Sequence, residues 1–133
     1  MKYLLDTNIC IYWFKGLMNV DKKAVTVDIN EISVSAITIA ELLYGAYNSA
    51  NIEKNVKKVK EFKDTTNIIY LNHEILEQYA KIKATLRAEG KILDDFDILI
   101  AATAIMSNCT LVTNNEKHFE RITSLRTENW TSQ

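Results

Sequence analysis

Four short apolar runs punctuate the chain: Tyr3-Leu4-Leu5, Ile32-Ser33-Val34, Ile68-Ile69-Tyr70-Leu71 and Thr110-Leu111-Val112. Runs of this length, bounded by polar residues, read as buried strands, and a weaker fifth lies around Leu125-Arg126-Thr127. Longer stretches between them follow the helical repeat. Ile37, Ala40, Tyr44 and Tyr47 recur at helical spacing, as do Ile75, Tyr79, Ile82 and Leu86. Phe96 to Met106 is nearly all apolar after an acidic start, which predicts a helix buried on most sides. Strands that alternate with helices imply an α/β fold: a central parallel sheet of four to five strands with helices on both faces.

The chain has 133 residues, the length of one compact domain over 1–133. It has no repeat, no low-complexity tract and no proline to mark a linker. Its formal net charge of -1 means that a nucleic-acid partner would need a local basic face. No apolar run is long enough to span a membrane, and Asp6 interrupts the first one, so no signal-peptide core is expected. Cys10 and Cys109 lie in apolar stretches and read as buried, reduced thiols of a cytoplasmic protein.

The chemistry lies where acids meet the ends of regular elements. Asp6 follows the first strand directly, Glu41 falls in the first turns after the second, and Asp94-Asp95-Phe96-Asp97 opens the apolar helix. Thr113-Asn114-Asn115 follows the late strand. In open parallel sheets ligands bind beyond the carboxyl ends of the strands, where these segments would converge. Each acid also has a structural role available to it. Asp6 and Asp94 suit helix N-caps, while Thr38-Ile39-Ala40-Glu41 and Thr113-Asn114-Asn115-Glu116 match capping boxes. Yet Glu41 and Asp97 sit against apolar neighbours, and an unpaired buried charge costs several kcal/mol. Two carboxylates about 4 Å apart repel by roughly 4 kcal/mol at an effective dielectric near 20. A divalent cation shared by Asp6, Glu41 and Asp97 relieves that repulsion.

At these residues the chain resembles the PIN-domain ribonucleases, and more narrowly the VapC toxins of bacterial toxin-antitoxin pairs. The matching stretches are Leu4-Leu5-Asp6-Thr7-Asn8, Ser35 to Gly45, Asp97-Ile98-Leu99-Ile100-Ala101-Ala102, and Leu111 to Asn115 with Phe119. Glu128-Asn129-Trp130 resembles the family's closing segment. The resemblance implies a PIN-like α/β/α fold and a metal-dependent endoribonuclease that cuts structured RNA, often transfer RNA. It implies Mg²⁺ or Mn²⁺ held by Asp6, Glu41 and Asp97, with Asn115 as a fourth catalytic position. Thr7, Asn8, Thr113, Asp94 and Glu116 would support the pocket. A cognate VapB-type antitoxin would neutralise it, and a homodimer is the expected assembly. The chain departs from the family at Asn115, where many relatives carry an Asp; either Glu116 or Glu120 substitutes, or one ion suffices. That departure keeps an alternative open, a PIN-fold module that binds RNA or antitoxin without cutting.

Several further residues carry expectations. Arg87 and Lys91, with Lys81 and Lys83, precede the third acid and would line its entrance as RNA contacts. Tyr44, Tyr47, Trp13 and Phe14 are candidate antitoxin contacts, the last two equally suited to the core. His118, one of two histidines, reads as a helix-surface position.

Overall fold

The computed structural model describes residues 2–132. Five strands form one sheet: β1 (Tyr3–Leu5), β2 (Ile32–Ser35), β3 (Asn67–Ile69), β4 (Thr110–Val112) and β5 (Thr127–Glu128). All neighbouring pairs are parallel, in the order β3-β2-β1-β4-β5. β1 is therefore central, with Tyr3 level with Ile32 on one side and Thr110 on the other. The helices are α1 (Thr7–Lys15), α2 (Val20–Ala24), α3 (Ala36–Tyr47), α4 (Ile52–Thr65), α5 (His73–Ala88), α6 (Asp95–Met106) and α7 (Glu116–Phe119).

The strand alternation splits the interior into two cores. Leu4 and Leu111 face one side, where they join Ile75, Ile82 and Leu86 of α5 with Ile98 and Ile100 of α6. Leu5 and Val112 face the other, with Ile9 and Cys10 of α1, Ile39 and Leu42 of α3, and Val56 and Val59 of α4. Successive strand residues point to opposite faces, so a two-residue apolar step fills both layers of an α/β/α sandwich. Cys109 belongs to the first core and Cys10 to the second, so the sheet separates the two thiols.

Two details differ from the pattern read along the chain. Tyr70 and Leu71 leave the sheet and are exposed, because β3 is an edge strand whose pairing with β2 ends at Ile69. On α3 the buried face is Thr38, Ile39, Leu42 and Ala46, and the stripe holding Ala40, Tyr44 and Tyr47 is exposed. Among the described residues no helix is long and apolar enough to cross a membrane.

The topology singles out one edge. From β1 the chain builds outward through β2 and β3, then returns to the other side of β1 for β4 and β5. The crevice beyond the carboxyl ends of β1 and β4 is the switch point of the sheet, the usual ligand position in such folds.

Candidate active site

Asp6 stands at that switch point. Its amide donates to the Val112 carbonyl at 2.8 Å, which locks the residue to the end of β4. Its extended backbone makes it the N-cap of α1, and Oδ1 accepts from the Thr7 amide at 2.9 Å. Oδ2 accepts from the Thr113 hydroxyl, also at 2.9 Å, just past β4. Asp6 thus caps α1 and at the same time lines the cleft at the switch point. Burial pushes its carboxyl pKa up, the Thr113 and Thr7 bonds oppose this, and the charges of Asp97 and Glu41 add to the rise.

Glu41 reaches the same place from the second turn of α3. The helix is capped by Ser35, whose hydroxyl accepts from the Ile37 amide. The Thr38–Glu41 capping box therefore does not form, and Glu41 is left to point outward from the helix start. Its Oε1 accepts from the Thr7 hydroxyl at 2.6 Å. Thr7 has one hydroxyl hydrogen, so the 3.1 Å contact between Thr38 and Thr7 runs with Thr38 as donor. Asp97 comes from the first turn of α6, where a carboxylate is favoured by the helix dipole. Its Oδ2 lies 3.0 Å from Nε2 of His118 on α7.

Asp6, Thr7, Asn8, Glu41, Asp97, Asn114, Asn115, His118 and Phe119 line one cleft of about 320 Å³. The three acids thus converge, and the charges of Asp97 and Glu41 both bear on Asp6. They do not form a closed cage. Among the described residues no three His, Cys, Asp or Glu side chains are gathered tightly enough to hold an ion as they stand. Carboxylate oxygens that would take a cation rest instead on Thr113, Thr7 and His118.

Other sequence candidates fall in varied places. Thr113 lies wholly buried beneath the cleft and supports Asp6, while its hydroxyl also accepts from the Asn115 amide. Asn115 is the N-cap residue of α7 without a side-chain cap bond, so its amide group stays available to the cleft. Glu116 turns away and accepts from Thr127 of β5 at 2.9 Å. Glu120 is exposed and, like Glu116, is not part of the cleft lining. Asp94 caps α6 through its backbone and is exposed outside the lining as well. Arg87 and Lys91 line a separate groove with Lys83, Leu86, Ile92, Leu93 and Ile98 rather than the acid cleft. Lys83 and Lys81 are engaged with Asp95 and Glu77.

Two residues of the lining were given no site role of their own by the sequence pattern. His118 is half-buried in the lining rather than on an open helix surface. The signal was its spacing: three residues after Asn115, it returns to the same side of a one-turn helix. Asn114 donates to the Tyr12 hydroxyl at 3.2 Å, and its Oδ1 is buried without a hydrogen-bond partner. No spacing rule links Tyr12 to Asn114, which meet only through tertiary packing.

Residues 3–125 match the family described as PIN domain. The chain is similar to Ribonuclease VapC2 of Haemophilus influenzae, at 38% identity with 98% of each chain covered. It is similar to the tRNA(fMet)-specific endonuclease VapC of Shigella flexneri, at 32% identity with 98% of each covered. Among solved structures, it resembles that of VapBC2 from Rickettsia felis bound to a DNA fragment from their promoter. There the TM-score is 0.88 and the identity 37%, with 98% of this chain and 99% of that one covered.

Proposed function

The chain belongs to the PIN-domain family, and within it to the VapC-type ribonuclease toxins; on that footing we propose a single PIN domain over 1–133 that hydrolyses structured RNA with a divalent cation. It acts in the cytoplasm, pairs as a homodimer and is neutralised by a cognate VapB-type antitoxin. The Shigella flexneri relative is a tRNA(fMet)-specific endonuclease, which points the substrate toward transfer RNA. The observation that carries the reading is one cleft lined by Asp6, Glu41 and Asp97, delivered from three separate elements to the switch point of the sheet.

The donor set fits a hard cation, Mg²⁺ or Mn²⁺. Apart from the His118 imidazole it consists of carboxylate and amide oxygens, which such ions prefer. Burial raises the Asp6 pKa first and the charges of Asp97 and Glu41 add to the rise; a cation beside the carboxylate would offset both. When bound, the cation supplies an activated water and offsets charge building on the phosphate. The protein's part is positioning. Thr113 and the Thr7 amide fix Asp6, the Thr7 hydroxyl holds Glu41, and the first turn of α6 presents Asp97. Asn115 offers a neutral amide at the rim, suited to a phosphate oxygen or a cation's water rather than to direct charge neutralisation.

Purified chain, free of antitoxin and host nucleases, tests this with a transfer RNA pool in Mn²⁺ or Mg²⁺. Cutting that stops on adding EDTA and is lost in Asp6→Asn supports the enzyme. RNA that stays intact while still bound would instead favour the non-cleaving module.

A further inference from the structure

We propose that His118 is a nitrogen ligand of the cleft's cation, standing in for the acid that Asn115 lacks, and that it tilts the site toward Mn²⁺ over Mg²⁺. The inference rests on the metal-dependent reading above. Its starting point is a distance. His118 Nε2 lies 3.0 Å from Asp97 Oδ2. Neighbouring ligands on an octahedral ion with bonds of about 2.1 Å stand about 3.0 Å apart. That separation suits two adjacent ligands once Nε2 is the unprotonated ring nitrogen and the imidazole turns its lone pair from Asp97 to the ion.

The imidazole is also held for the task. Its ring meets Phe119 edge-on, with centroids 5.3 Å apart at 83°, and Phe119 is itself anchored in the core. The nearby acids do not compete for the position, since Glu116 is bonded to Thr127 and neither it nor Glu120 lines the cleft. A site with three carboxylates and one imidazole differs in kind from an all-oxygen site. Mg²⁺ favours oxygen donors and retains its waters; Mn²⁺ also suits oxygen donors, but as a larger first-row transition ion it admits an imidazole nitrogen beside them more readily than Mg²⁺ does.

The test uses the full chain with Mn²⁺ and Mg²⁺ as probes. His73→Ala serves as the background, because His73 is the one other histidine and lies exposed on α5 beside Glu77. Electron spin-echo spectra of bound Mn²⁺ should carry the modulation of a coordinated imidazole nitrogen in this background. Adding His118→Ala should erase it, weaken Mn²⁺ binding about 10-fold and change Mg²⁺ binding less than about 2-fold. Mn²⁺ bound in an Asp6-dependent way without nitrogen coupling overturns the inference and leaves the metal-dependent reading standing; His118 would then only position Asp97. Mn²⁺ binding that Asp6→Asn leaves unchanged sinks both. Should the His118 variant fail to fold, the spectrum of the His73→Ala background still decides.

Discussion

Asp6 is asked to be buried and charged at once, beside two further carboxylates, and the protein in its cation-free form bears that cost. Its pKa in the folded state is raised above the ordinary value near 3.8. The folded state therefore holds the proton more tightly than the unfolded one, and stability falls as pH rises from the unfolded pKa through the raised folded one. With chelator present, melting temperature should decline across that window and stay lower above it. Asp6→Asn removes this contribution. We expect the variant to be more stable at neutral pH by roughly 1 kcal/mol, or about 3–5 °C, less what is lost when Thr113 gives up its acceptor. Saturating Mn²⁺ should narrow or reverse the gap, since binding stabilises the wild type alone. A variant that melts lower than wild type in chelator at pH 7 would show that the Thr7 and Thr113 bonds outweigh the cost of burying the charge.

Thr7 ties α1 to α3, whose starts the sequence brings to one edge without saying which bond links them. Its hydroxyl spans from the start of α1 to Glu41 on α3, with Thr38 behind it. Thr7→Val keeps the shape and removes the donor, leaving a carboxylate oxygen without its partner. Such a loss costs about 1–3 kcal/mol, read as a drop in urea midpoint at constant m. A midpoint within about 0.3 kcal/mol of wild type would mean that water replaces the bond. The contrast with Asp6, Glu41 and Asp97 shows what a chain discloses. Those three could be picked out because each acid abuts an apolar run at the end of a regular element, and the run itself announces the fold. The same local rules also offered Glu41 a capping box, which does not form because Ser35 lies nearer the true helix start and satisfies the Ile37 amide. They also traced an apolar stripe through Ala40, Tyr44 and Tyr47, although α3 buries Thr38 and Ile39 instead. Thr38 is polar, so periodicity of apolar residues cannot count it; the site's own hydrogen bonds draw it inward. His118 escaped for a related reason: its only signal is a single three-residue step from Asn115, and a four-residue helix is too short to repeat it.

The same α3 stripe matters for partners of the whole protein. Tyr44 is 70% and Tyr47 59% exposed, while Trp13 and Phe14 pack on Phe62. Replacing both tyrosines by Ala should leave stability within about 0.5 kcal/mol and RNA cutting intact. If an antitoxin helix covers them, neutralisation should weaken at least about 10-fold in an inhibition titration. Unchanged neutralisation would move the antitoxin elsewhere. RNA poses the opposite problem, a polyanion approaching a cleft lined with carboxylates on a chain of net charge -1. Cations bound in the cleft answer only the local part of it. The longer reach must come from side chains such as Arg87 and Lys91, whose groove includes Ile98, the residue next to Asp97 on α6. Lys83 is tied to Asp95, and Lys91 lies 3.8 Å from Glu89, so Arg87 is the freer donor for a phosphate. In the Asp6→Asn background, where RNA stays uncut, Arg87→Ala with Lys91→Ala should flatten the dependence of log K on log salt by roughly one to two units. Arg87→Ala alone should account for most of that change. A slope equal to that of the parent would mean that phosphates run past this groove, and the basic face would have to be sought among the lysines of α4.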